Sequence, residues 1–312
     1  MSLAIELQEK VRSLGAAFNL DILAATQEIY RQHLDMTPVE EKTNLAYGSN
    51  ERHRLDLYLP KSAPLAVVVY VHGGGFVGGD KNSDGTFYVN VGRFLARHGF
   101  AAVLPNYRRA PAHGWPAGAE DVRDVIGWVR QNVRGLATDE LDLFVLGQSA
   151  GASHVGSWLF DSQTRGTPLG ALAGVMLMSG FYNAAAPLSA NALAYFGDDV
   201  TLHAQRSPIT HVSKIEVPVC LSVAELDPGS IGWQTFQLAE AMTRCNGRSP
   251  EFAWLRGHNH VSTVLSLGSP QQDAAAEILR FLKTHLTSSD APVQPNPASS
   301  QTSDDLSPDL LS

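Results

Sequence analysis

One stretch limits the folds open to this chain more than any other: residues 141–153, LDLFVLGQSAGAS. An apolar run, 143–146, meets a glycine turn, and the turn opens into a helical pattern. Gly147 and Gly151 stand two residues either side of Ser149, spelling G-x-S-x-G. In such a segment a tight strand-to-helix turn pushes one serine oxygen out above a parallel sheet, and small flanking residues let neighbouring elements pass close to the strained backbone. The helix that follows sets the positive end of its dipole beneath the serine, where negative charge develops during acyl transfer.

The pattern on either side fits such a sheet. Residues 65–71 (LAVVVYV) form a continuous β-branched run that suits a central strand covered on both faces. Residues 100–104, 173–178 and 217–223 read as further buried strands, and 251–255 as the last. The run 54–59 (RLDLYL) alternates and stops at Pro60, which predicts an early, partly exposed strand. Residues 119–133 place Val122, Val125, Ile126, Val129 and Val133 on one helical face, and 273–286 form the last helix. Strands that keep alternating with helices predict a mostly parallel, doubly wound α/β sheet. Residues 1–35 repeat apolar positions at helical spacing and predict two short amphipathic helices, either an ordinary outer layer or part of a cap. The connection 181–212 is long for this architecture, and a loop of that size is usually functional or a lid. After Thr287 the chain turns to Ser, Pro, Asp and Gln without periodicity, so 287–312 is expected to be a disordered tail.

Composition removes several classes of partner. A formal net charge of −8 disfavours nucleic acid and anionic membrane surfaces. Cys220 and Cys245 have no metal or disulfide pattern, and Cys220 sits in an apolar run that reads as core. The first residues mix charge into their apolar positions, so no signal-peptide core is expected. No window approaches about 18 apolar residues. The expectation is a cytoplasmic protein with no membrane partner, and a homo-oligomer is left open.

A serine hydroxyl needs a base to remove its proton, and the base needs an orienting carboxylate. In the chain order of this architecture the acid comes next and the histidine last. Glu225 and Asp227 both follow the strand at 217–223. Asp227, followed by Pro228 and Gly229 in the turn itself, is the better placed, and Glu225 would be a solvated loop carboxylate. After the last strand stand His258 and His260, and both are candidates for the base. An oxyanion hole needs N–H donors from the residue after the serine and from a loop after an earlier strand. Ala150 and the loop Gly73-Gly74-Gly75 occupy those places. His72 should hydrogen-bond the loop backbone, and the remaining histidines are read as surface or packed residues. An H-x-H pair without a suitably spaced acid is a weak metal signal, so no metal and no cofactor are expected.

The segments HGGGF (72–76), NYRRAPAHGWPAGAED (106–121), GQSAGA (147–152), AELDP (224–228) and GHNH (257–260) resemble the hormone-sensitive-lipase family of α/β-hydrolases, the HGGG carboxylesterases. The resemblance runs from about Ala66 to Leu282. It implies an α/β-hydrolase fold with a helical cap built from the N-terminal helices (1–45) and the insertion at about 181–212, on a catalytic domain spanning 46–286. It implies Ser149, Asp227 and His260 as the triad, with His260 three positions after Gly257, and Gly74, Gly75 and Ala150 as the hole. It implies hydrolysis of small-molecule esters with short to medium acyl chains, through an acyl-enzyme and without a cofactor. Asp121 would be structural, tying down the loop after Tyr107. The chain departs from the family at Gln148, where Asp is common, at Ala152, where a second glycine is usual, at Ala112, where glutamate is usual, and at the ending His260-Val261-Ser262. Two other functions use this framework: arylformamide hydrolysis by the same triad, and ligand reception by relatives that have lost the histidine.

Overall fold

The computed structural model describes residues 2–133, 141–166, 169, 172–185 and 188–287. The tail expected after Thr287 therefore lies outside the described residues. Two helices come first, α1 (Leu3–Ser13) and α2 (Leu20–Arg31). Each starts on a capping side chain: Ser2 accepts from the Ile5 N–H, and Asn19 from the Ile22 N–H at 2.9 Å.

The strands are β1 (Glu40–Ala46), β2 (Arg54–Leu59), β3 (Ala66–Val71), β4 (Ala101–Pro105), β5 (Asp142–Gln148), β6 (Leu172–Met178), β7 (Val219–Leu226) and β8 (Glu251–Asn259). They form one eight-stranded sheet in the order β1-β2-β4-β3-β5-β6-β7-β8. The pairs β1–β2 and β2–β4 are antiparallel, and every other pair is parallel. The remaining helices are α3 (Val89–Arg97), α4 (Ala117–Asn132), α5 (Ala150–Phe160), α6 (Ser162–Arg165), α7 (Ala190–Phe196), α8 (Gly229–Asn246), α9 (Ser262–Leu265) and α10 (Asp273–Thr284).

Every residue of β3 is buried, as its unbroken apolar run requires. Val67, Val69 and Val71 pack against α4, α5 and α8 on one face. Val68 and Tyr70 meet α3, α9 and α10 on the other. Helices on both faces are what a parallel sheet with crossover connections must have.

Two expectations change at the leading edge. β1 reads EEKTNLA and has no buried position, so its sequence carries no apolar alternation. All of it but Ala46 falls in the 1–45 segment assigned to the N-terminal helices, which end at Arg31, and the sheet begins at Glu40. Because β1 covers the outer side of β2, β2 is buried along its length apart from Arg54 instead of partly exposed. Among the described residues no helix is long and apolar enough to cross a membrane.

Candidate active site

Five neighbouring parallel strands, β3, β5, β6, β7 and β8, end side by side, and each is followed at once by a polar residue; those after β5, β6, β7 and β8 are joined by hydrogen bonds, while the one after β3 bonds Gly73 and Asn106. These residues are His72, Ser149, Ser179, Asp227 and His260. The carboxyl ends of such strands are where a doubly wound sheet presents its chemistry.

Ser149 sits between β5 and α5 with φ 56° and ψ −125°, a left-handed conformation unfavourable for a serine. The surroundings hold it there. A side chain at Gly151 would put its Cβ 2.1 Å from the main-chain oxygen of Val71, so β3 and α5 can approach this closely only over glycine. The Ser149 N–H donates to Met178 O at 2.9 Å, and its side chain stands at the open N-terminus of α5.

His260 Nε2 lies 2.8 Å from Ser149 Oγ, and His260 Nδ1 lies 2.8 Å from Asp227 Oδ1. With a carboxylate on Nδ1, that nitrogen carries the proton and Nε2 is free to accept one from the serine. The other carboxylate oxygen, Asp227 Oδ2, accepts from Ser179 Oγ at 2.6 Å and from the Ala224 N–H at 2.7 Å. All lone pairs that matter for orientation are thus engaged. The main chain of His260 is fixed as well: its carbonyl oxygen accepts from Gln148 Nε2 at 2.8 Å.

The loop after β3 turns back over the serine. His72 Nδ1 bonds Gly73 O at 2.6 Å, and the Gly78 N–H donates to Gly74 O at 2.9 Å. Gly74 has φ 152°, and a Cβ there would lie 2.2 Å from Gly78 O. Among the described residues, the N–H groups of Gly74, Gly75 and Ala150 find no acceptor, which leaves three donors beside Ser149. Asp121 anchors the neighbouring loop by accepting from Arg108 N at 2.6 Å and Arg108 Nε at 2.7 Å.

Two cavities meet at Ser149, of about 440 and 390 Å³. Phe18, Leu20, Gly75, Asn191 and His260 line both. Phe18, at the entrance to α2, sets its ring 4.9 Å from the His260 ring. Asn191, on α7 in the long insertion, places its amide 3.2 Å from where a Gly75 Cβ would be. The N-terminal segment and the insertion therefore both roof the serine. Among the described residues lining either cavity there is no Asp, Glu, Lys or Arg.

A family model described as BD-FAE matches residues 55–160. Esterase LipC of Mycobacterium tuberculosis is 34% identical over 113 residues, which are 35% of this chain and 27% of that protein. The probable isoprenylcysteine alpha-carbonyl methylesterase ICME of Oryza sativa subsp. japonica is 33% identical over 111 residues, 35% of this chain and 26% of that one. The matched stretch thus spans about a quarter of each of these relatives. The crystal structure of Esterase B from Lactobacillus rhamnosis superposes with a TM-score of 0.69 at 18% identity, over 93% of this chain and 98% of that one. The chain has the α/β-hydrolase fold. Both of these curated relatives are named as esterases.

Within this fold, Glu225 is not the solvated loop carboxylate expected of it. It ends β7, accepts from the Gly257 N–H at 2.6 Å and pairs with Arg12 of α1 at 3.1 Å. The Gly257 bond and the Arg12 guanidinium hold its carboxyl below the usual range. His258 is not bonded to the serine. Its Nδ1 lies 3.0 Å from Ser262 Oγ and its Nε2 3.0 Å from the Gln271 side-chain nitrogen. Sequence reasoning missed Ser179, Phe18 and the bond made by Gln148. Ser179 could have been found only as the residue following a buried strand between those of the serine and the acid.

Proposed function

We propose that this α/β-hydrolase cleaves carboxylic esters through an acyl-enzyme, with Ser149 as nucleophile, His260 as base and Asp227 as orienting acid. Ser149 Oγ attacks the ester carbonyl carbon while His260 Nε2 takes its proton. The carbonyl oxygen gains the negative charge and is met by the N–H groups of Gly74, Gly75 and Ala150, aided by the α5 dipole. The carbon–oxygen bond to the alcohol then breaks, and His260 returns the proton to the leaving alkoxide. Water, activated by the same imidazole, attacks the acyl-serine and releases the acid. Asp227 keeps the imidazole in the required tautomer and stabilises its charged form.

The observation that carries this reading is the unbroken line Asp227–His260–Ser149, with both bonds 2.8 Å long, at the junction of two uncharged cavities. The two cavities are similar in size and lie toward the lower part of the range for small-molecule sites, about 300–1,000 Å³. Substrates with a short to medium apolar group on each side of the ester fit that shape, and charged ones would leave an ion unpaired. The named esterase relatives support the same chemistry.

A panel of nitrophenyl esters of graded acyl length, run beside N-formylkynurenine, tests it. Turnover is expected for short and medium acyl chains, falling for long ones. No turnover of any ester would overturn the reading, and faster cleavage of N-formylkynurenine than of every ester would replace it with an arylformamidase.

A further inference from the structure

We propose that α2 does more than wall the pocket: through Thr26 and Tyr30 it holds the loop that carries His260 in register with Ser149. This rests on the ester-hydrolase reading of the site.

The helix presents two different faces. Leu20, Leu23 and Gln27 line the larger cavity, whereas Thr26 and Tyr30, one turn apart, do not. Both of these are fully buried; Thr26 bonds Asn259, the residue before His260, and Tyr30 reaches His258 through Gln271. Thr26 Oγ1 donates to Ile22 O at 2.7 Å and accepts from Asn259 Nδ2 at 2.9 Å. The same Asn259 side chain reaches past the base, its Oδ1 accepting from the N–H groups of Val261 at 3.2 Å and Ser262 at 3.0 Å. His260 is thus bracketed by one side chain whose other anchor, among the described residues, is on α2.

Tyr30 begins a second line. Its hydroxyl donates to Gln271 Oε1 at 2.7 Å, and the Gln271 amide donates to His258 Nε2 at 3.0 Å. His258 must then carry its proton on Nδ1, facing Ser262 Oγ, which also accepts from the Asn259 N–H at 2.9 Å. Each donor in the line has one acceptor, so removing one hydroxyl leaves a buried group unpaired and frees the loop to shift. Toward the strand, Gln8 Nε2 donates to Arg256 O at 3.1 Å and Arg12 braces Glu225 against Gly257. Every residue from Arg256 to Asn259 is held directly or through one partner by α1 or α2.

A plain lid and a positioning element differ in what they change. Thr26→Val keeps the volume and removes the hydroxyl, and Thr26→Ser restores it. Expected for Thr26→Val is a fall in kcat of about ten- to a hundredfold with KM within about twofold, and for Thr26→Ser a kcat within about threefold of the parent. Tyr30→Phe, acting at the other end of the network, should lower kcat in the same way, so the reading survives if one variant fails to fold. Leu23→Ala, on the pocket face, should move KM and acyl preference instead. The rate at which a fluorescent phosphonate labels Ser149 gives a second measure that needs no ester turnover, and it should slow in step with kcat. If the parent protein turns over esters and takes the label while Thr26→Val and Tyr30→Phe match it in kcat, or differ only in KM, the positioning role is wrong and the hydrolase reading stands. A parent protein that neither hydrolyses esters nor takes the label overturns both.

Discussion

Gln148 donates from its side-chain nitrogen to the main-chain oxygen of His260 at 2.8 Å, joining the residue before the serine to the residue opposite it. Its other side-chain atom, Oε1, fills the space beside Gly73, where a Cβ would come within 2.5 Å. One buried amide thus spans the gap between the glycine loop and the histidine loop. Gln148→Glu has nearly the same shape but offers a carboxylate oxygen to a carbonyl oxygen. It is expected to lower kcat about ten- to a hundredfold at neutral pH, measured with a nitrophenyl ester. Activity within twofold of the parent would mean that the bond is incidental.

Ser149→Ala should leave the fold unchanged and remove about 10⁴- to 10⁶-fold of the ester hydrolysis rate. Circular dichroism checks the fold, and activity is measured on protein freed of host esterase. A residual rate within about tenfold of the parent would reject Ser149 as nucleophile.

His258 and His260 give a paired comparison. His260→Ala takes away the group bonded to Ser149 and should cost at least about a thousandfold in kcat. His258→Ala breaks its bonds to Ser262 and Gln271 and should cost perceptibly less, about tenfold, together with a lower melting temperature. The reverse order of severity would exchange their roles.

Acid should weaken the fold through three buried histidines. Burial lowers His154 from 6.5 to about 3 and His72 and His258 from 6.5 to about 4. Below pH 6.5 the unfolded chain takes up protons at these sites and the folded chain does not, so the stability is fully present above 6.5 and is lost as pH falls toward 4 and 3. Each site can account for up to about 2 kcal/mol of the loss by pH 5. Urea midpoints at pH 7.5 and 5.0 measure it, and His154→Phe should narrow the gap between them. His154 suits the comparison because, among the described residues, neither of its ring nitrogens has a partner. Equal midpoints at both pH values would show that these rings are not kept neutral.

The central strands and the serine turn were legible because their constraints are local and steric. Unbroken β-branched runs can only be buried, and Gly147 and Gly151 are required by a close backbone approach that any fold with this turn must make. β1 was not legible, since a polar edge strand gains its place from pairing with β2 and has no pattern of its own. The choice between His258 and His260 lay beyond spacing too. They lie two residues apart, His258 within β8 and His260 just past its end, and the Asn259 side chain between them bonds the turn that follows, so that one imidazole faces Ser149 and the other the core. Ser179 was invisible for a similar reason, because what gives it meaning is Asp227, which is brought alongside by the pairing of β6 with β7.

The bonds from α1 and α2 to the far end of the chain bear on the order in which the protein is made. Gln8, Arg12, Thr26 and Tyr30 meet partners 248, 213, 233 and 241 positions downstream. At ordinary rates of synthesis the first helices wait on the order of tens of seconds for these partners to leave the ribosome. Ser149 emerges 111 residues ahead of His260. A growing chain, or one cut short before β8, therefore displays the serine without its base and with these bonds of α1 and α2 unmade, and the site is assembled only when the last strand is added.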